Sequence, residues 1–292
     1  MKKQIRAMMI GAHPDDCEFR YGGLVQKYVA AGHKVKFLSM CDGSGGHHIM
    51  EPAAIAARRK GEIQAVAKMV GIEYDVWDIP DCELNADLET RKRLVREIRQ
   101  FNPDIIFSHR ANDYHVDHRN AGLLVQDASY LLIVPHFCPD VPAMKKTPVI
   151  MHCFDKFQNP PFQADVVVPI DDELDRKIEL LACHESQLFE WLPYTVGILD
   201  QVPEGKEARI AWLHEPRIPR DGNFDEGFVL NAKLLSDESE YREAVPAIKY
   251  RDKLIEQYGE EKGRAILFAE AFAVCEYGAA LPKESIEDYF PL

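Results

Sequence analysis

The sequence predicts an α/β fold: a three-layer sandwich on a mostly parallel sheet, with a C-terminal elaboration. Three observations carry that prediction. Short apolar runs alternate with longer amphipathic stretches through residues 6–108. This spacing of strand, helix and strand requires right-handed crossovers, which place helices on both faces of a parallel sheet. Polar clusters also follow three of the apolar runs, where ligands gather in open α/β sheets.

Taken in order, residues 6–10 read as a short buried strand, followed by a polar turn from His13 and a helix over 22–31. Residues 34–40 form the second strand, ending in the glycine-rich turn Asp42-Gly43-Ser44-Gly45-Gly46. A long amphipathic helix over 53–70 is closed by Gly71. A strand over 74–79, a helix over 87–100 and a strand over 103–108 complete a Rossmann-like sheet. Beyond it, 149–154 and 165–170 read as strands, and 171–187 as a helix with acids in its first turn. Residues 193–225 are expected to be loop-rich, and 238–259 and 260–277 helical. With no internal repeat and no long linker, one domain over 1–292 is expected. Residues 136–292 would complete the sheet and shape the site built on 1–135.

Composition narrows the function. Of 292 residues, 46% are apolar and 28% charged, and the formal net charge is −13 with no dense Lys/Arg tract, which argues against a nucleic-acid partner. No apolar run approaches the roughly 18 residues that span a bilayer, so no membrane span is expected. The seven cysteines are scattered without a C-x-x-C pair, pointing to reduced thiols and a cytoplasmic protein. The glycine turn lacks the Gly-Lys-Ser/Thr of a phosphate loop, and the turn after the first strand lacks G-x-G-x-x-G. A nucleotide-dependent oxidoreductase is therefore not expected.

Two motifs carry the chemistry. Ala12-His13-Pro14-Asp15-Asp16-Cys17-Glu18 places one imidazole and three carboxylates in a single turn after a buried strand. Adjacent acids repel unless a cation lies between them. His115-Val116-Asp117-His118 follows the fourth strand, and an H-x-x-H pair with an intervening Asp suits a metal ligand whose ring is held in one tautomer.

These motifs resemble those of the PIG-L/LmbE-like zinc deacetylases, a family that includes N-acetylglucosaminyl-phosphatidylinositol de-N-acetylases and the deacetylases of mycothiol and bacillithiol biosynthesis. The A-H-P-D-D-x-E pattern is matched by Ala12 to Glu18. H-P-D-H is matched by His115 to His118, with Val116 in place of proline. Weaker matches are Arg59-x-x-Glu62, His184-x-Ser186-Gln187 and Ala269-Glu270-Ala271-Phe272.

The resemblance implies that His13, Asp16 and His118 hold Zn2+, with Fe2+ compatible with the same donors. It implies Asp15 as general base, His115 as an imidazolium stabilising the oxyanion, and Asp117 as the partner of a site imidazole. Arg59, Asp81, Glu18, His47 and His48 are the expected substrate contacts. The alternative for Glu18 is a support or a turn acid, for Arg59 and Asp81 a surface charge, and for the two histidines a solvated loop. Trp191, Trp212 and Tyr194 are candidate walls of a sugar pocket or core residues.

The expected reaction is hydrolysis of the N-acyl group, above all N-acetyl, of a small-molecule amino sugar or glycoconjugate. The alternatives are an amidase acting on a larger acyl or thiol conjugate and a metal-bound sugar-binding protein, the latter having no use for Asp15 and His115. A homo-oligomer is compatible with the sequence.

Overall fold

Alternation along the strands decides what the sheet faces. In β1 (Arg6–Gly11), Ala7 and Met9 join one apolar cluster with Phe37 and Phe107, while Met8 and Ile10 join another with Leu38 and Ile106. Both faces are buried, as a parallel strand requires. The structure is a computed structural model and describes residues 3–232 and 239–292.

The remaining strands are β2 (Lys34–Ser39), β3 (Glu73–Val76), β4 (Ile105–Ser108), β5 (Val149–Cys153), β6 (Val166–Pro169) and β7 (Ala269–Val274). They form one seven-stranded sheet in the order β3-β2-β1-β4-β5-β7-β6. β1 pairs in parallel with β2 and β4, and only β7 runs antiparallel, between β5 and β6. Because β2 and β4 lie on opposite sides of β1, the chain reverses direction there, and a crevice opens beyond the carboxyl ends of β1 and β4.

Helices α1 (Asp16–Ala30), α2 (Pro52–Val70), α3 (Leu88–Phe101) and α4 (Val116–Leu131) link the parallel strands. Next come α5 (Leu174–Leu181), a π-helical turn (Gln187–Trp191), α6 (Leu192–Thr195), α7 (Lys206–Leu213) and α8 (Glu226–Asn231). The last are α9 (Glu240–Lys249), α10 (Arg251–Tyr258), α11 (Glu260–Ala265) and α12 (Ile286–Tyr289).

Several expectations are corrected. α1 begins at Asp16, inside the first motif, rather than at residue 22. The helix runs unbroken through Gly22-Gly23, whose low helix preference masks its earlier start, and the Gly23 and Leu24 N–H groups also donate to Glu270 at 2.8 Å each. A Cβ at Gly23 would lie 2.3 Å from Ile170 Cγ2, so glycine permits the close packing. The helix expected over 260–277 ends at Ala265, and 269–274 is β7. Its alanine-rich run favours helix locally, but the gap between β5 and β6 decides otherwise. The helix expected over 171–187 is shorter, and 193–225 contains α7. For the helix expected over 238–259, residue 238 lies outside the described residues; α9 and α10 occupy the rest.

All seven cysteines are free thiols. Among the described residues no helix is long and apolar enough to cross a membrane.

Candidate active site

The first motif leaves β1 and turns directly into α1. A Cβ on Gly11 would lie 2.6 Å from Asp16 Cβ, so glycine lets Asp16 fold back over the strand end. The second motif forms the start of α4, across the switch point. His13, Asp16 and His118 meet there: His13 Nδ1 is 3.2 Å from His118 Nε2 and 3.6 Å from Asp16 Oδ2, and His118 Nε2 is 3.3 Å from Asp16 Oδ1. Three donors placed tetrahedrally at about 2.0–2.2 Å from one zinc ion stand about 3.3–3.6 Å apart. The two ring nitrogens have that spacing, and Asp16 offers a different carboxylate oxygen to each ring.

The other ring nitrogens are tied down. His13 Nε2 donates to Asp117 Oδ2 at 2.9 Å, and His118 Nδ1 donates to Asp113 Oδ1 at 3.0 Å. Both rings therefore turn their remaining nitrogens to the same point, where a shared proton or a metal cation relieves the repulsion of two lone pairs. Burial opposes charge on the rings, yet Asp117 and Asp16 hold His13 well above the ordinary histidine range. In the same way Asp16 and Asp113 bring His118 to about 9. The cluster demands positive charge. Asp117 is fully buried and also accepts from Cys82 N at 2.7 Å.

His109 stacks on His118 at 4.2 Å with 7° between planes, and its Nε2 lies 3.2 Å from Asp16 Oδ2. His109 Nε2 also accepts from Ala12 N at 3.2 Å, and Asp16, His109 and His118 together form another set of donors close enough to hold a metal ion. Burial and the neighbouring His118 push its pKa down to about 4.

Asp15 is the N-cap of α1 at φ 122°, a conformation that costs a non-glycine residue about 1–3 kcal/mol. It is buried, and its Oδ2 accepts from Arg59 Nη2 at 2.8 Å. Burial raises its pKa, Arg59 opposes the rise and Asp16 adds to it. That suits a carboxylate that must accept and return a proton.

His115 is the N-cap of α4, its Nδ1 accepting from Asp117 N at 3.2 Å. An imidazolium has no acceptor, so the expected cation is corrected to a neutral ring with a donor at Nε2. Burial, then His13 and His118, lower its pKa accordingly.

A cavity of about 580 Å3 opens over these groups, with Arg59 and Asp81 on its wall. Asp81 is committed to the glycine turn, accepting from Gly43 N at 2.9 Å and Gly45 N at 3.0 Å. Glu18 is not a substrate contact: it has no exposed surface and lies behind the site, 3.3 Å from His184 Nε2. His47 and His48 also stand off the cavity wall. His47 Nε2 meets Glu190 at 2.8 Å, and His48 stacks on Tyr194. Trp191 lines the cavity, whereas Trp212 packs into a core cluster under α5. The weaker matches join neighbouring walls: Glu62 accepts from Ser186 N and Oγ at 2.8 Å each.

Sequence reasoning missed His109 and Asp113 as individual residues. His109 had a signal, a polar residue at the end of the buried strand Ile105–Ser108. Asp113 had only its place in a polar turn before a helix.

Two histidines and a carboxylate converging at the switch point of a parallel sheet, with a second buried acid beside them, define an enzyme of the hydrolase type. Comparison with known proteins leads to the same class. Residues 8–129 match PIG-L, described as GlcNAc-PI de-N-acetylase. Over 200 residues the chain is 30% identical to a diacetylchitobiose deacetylase of Thermococcus kodakarensis, covering 65% of this chain and 74% of that one. It is 26% identical over 213 residues to a 4-oxalmesaconate hydratase of Pseudomonas putida, covering 70% and 82%. In fold it is similar to N,N'-diacetylchitobiose deacetylase from Pyrococcus horikoshii, with a TM-score of 0.66 at 20% identity over 94% of this chain and 85% of that one. The chain belongs to the PIG-L family.

Proposed function

We propose that the protein hydrolyses the N-acetyl group of an amino sugar or its glycoconjugate, with Zn2+ held by His13, Asp16 and His118. The observation that carries this reading is the convergence of the His13 and His118 ring nitrogens, 3.2 Å apart, on the Asp16 carboxylate, which faces each ring with one oxygen at 3.3–3.6 Å, while Asp15 is adjacent but turned to Arg59. Zinc at this point would polarise the amide carbonyl and make water nucleophilic near neutral pH, and Fe2+ suits the same donors. Asp15 accepts the proton of the attacking water and returns it to the departing amine nitrogen. Arg59 orients Asp15 for both transfers. His115, anchored through Nδ1, presents Nε2–H to the carbonyl oxygen as it gains charge. Asp117 and Asp113 fix the tautomers of His13 and His118. The free thiols support a reducing compartment such as the cytoplasm.

The test is release of free amine and acetate from N-acetylglucosamine and N-acetylated glycoconjugates. Expected results are activity lost on chelation and restored by zinc, and no bound zinc in His118→Ala. If zinc-loaded protein frees no amine from any N-acyl sugar, this reading fails. A larger acyl group, or the hydration chemistry of the P. putida relative, then becomes the next substrate screen.

A further inference from the structure

Hydrolysis of an amide creates a charge that the site must house. The water oxygen bonds to the carbonyl carbon, and the C–N bond breaks with its electron pair leaving on nitrogen. Both water protons end on that nitrogen as an ammonium group, and the acyl group departs as a carboxylate. A neutral group has become an anion beside Asp15 and Asp16, two buried acids that repel it.

The sheet divides the cavity into two arms. In the strand order, β2 and β3 lie on one side of β1, and β4 and β5 on the other. The loops follow suit: Gly45, Gly46 and Asp81 line the cavity on the side of β2 and β3, and Phe154, Asp155 and Phe157 line it on the side of β5. Asp15 is turned to the first arm, because its Oδ2 accepts from Arg59, which packs against Gly43 and Gly46. The group that returns a proton to the amine nitrogen marks the side on which the amine leaves. The acyl group then points into the β5 arm.

Arg20 stands in that arm. It follows Asp16 by one turn of α1, so the two residues share a helix face with Cβ atoms about 5–6 Å apart. Helical side chains lean toward the N-terminus, which carries the guanidinium back toward the Asp16 end. Its Nη1 donates to Phe154 O at 2.9 Å, just past β5, and its Nε is buried without a hydrogen-bond partner. Among the described residues no carboxylate pairs with this guanidinium; Asp16 and Asp113 favour its charge without touching it. Other charges lining the cavity are answered. Arg110 grips Asp155 through Nε and Nη2 at 2.5 and 2.6 Å, and Lys177 bonds Glu243 and Glu270. Among the described residues Arg20 keeps its own Nε–Nη2 edge unbonded, the edge that takes a carboxylate with two parallel bonds.

We infer that Arg20 is the carboxylate-binding residue of the acyl arm, taking the acid product on its Nε–Nη2 edge while the amine leaves by the other arm. This inference rests on the amide-hydrolysis reading for the identity of the anion.

The test uses acetate on zinc-loaded protein, where any acetate held by the metal is common to wild type and variant. The NMR resonance of labelled acetate is expected to broaden on adding wild-type protein, and Arg20→Gln should bind acetate about tenfold more weakly. Arg20→Lys keeps the charge and loses the fork, and should fall between the two. Equal acetate affinity in wild type and Arg20→Gln overturns the inference, as does absence of acetate binding by wild-type protein. If Arg20→Gln does not fold, equal affinity in wild type and Arg20→Lys overturns it. Product inhibition separates the two readings. Turnover of N-acetylglucosamine with the same acetate inhibition constant in wild type and Arg20→Gln removes the carboxylate site and leaves deacetylation standing. Turnover of no N-acyl sugar, with acetate binding still weakened in Arg20→Gln, removes the deacetylase reading and keeps the anion site.

Discussion

Two buried charged clusters line the same cavity and are built on opposite principles. In one, Lys177 Nζ sits between Glu243 Oε2 at 2.7 Å and Glu270 Oε1 at 2.8 Å, and Glu270 accepts two further N–H bonds from α1. Every charge there faces its opposite. In the other, two ring nitrogens of His13 and His118 approach to 3.2 Å, each ring turned inward by a carboxylate behind it. The first cluster pairs its lysine with two carboxylates; the second leaves two ring nitrogens facing each other, with room for a proton or a metal cation between them. Burial and charge are common to both, so neither marks a reacting centre. Converging ring nitrogens are what set the second cluster apart.

The contrast can be broken most forcefully at Lys177. Replacing it with Met leaves two buried carboxylates without a counter-charge and should cost about 3–5 kcal/mol of folding stability. Urea unfolding should show the same loss in zinc-loaded and chelated protein. A loss that vanishes on chelation would mean that the lysine cluster belongs to the metal site.

Next come the groups beside the converging point. Asp15→Asn and His115→Ala should each retain zinc and lower kcat on the order of 10²-fold or more, with KM for His115→Ala within a few-fold. Zinc content and steady-state kinetics decide it. Loss of zinc in Asp15→Asn would place Asp15 among the ligands and make Asp16 the base.

The smallest effect sharpens the comparison at its edge. Asp113→Ala removes the carboxylate behind His118 and should weaken zinc binding about 10–100-fold. Competition against a chelating dye measures this. Unchanged affinity would show that the His118 ring needs no help to hold its orientation.

The half of the site that sequence makes readable is the half in which chemistry and local structure share a segment. His13 to Asp16 and His115 to His118 each follow a buried strand and start a helix, so motif, loop and fold inform one another. His109 and Asp113 are single residues whose importance appears only once α4 is placed across the switch point. β7 is obscured for a different reason. Ala269 to Ala273 favours helix by local preference, and its pairing with β5 and β6 comes from residues about a hundred positions away. Glu18 misled because a carboxylate in a motif need not face the same way as its neighbours.

The bond from Gly23 to Glu270 joins residues 247 positions apart. A chain emerging from the ribosome presents β1, both motifs and all four helices of the first half long before Glu270 exists. Until then α1, whose first turn carries Asp16 and whose cap is Asp15, lacks the carboxylate that accepts from its Gly23 and Leu24 amides. One of the two carboxylate partners of Lys177 is missing as well. Full anchoring of α1 is thus tied to the arrival of β7, the last strand made among the described residues. A nascent chain stalled before residue 269 would carry both motifs and lack the Glu270 clasp on α1.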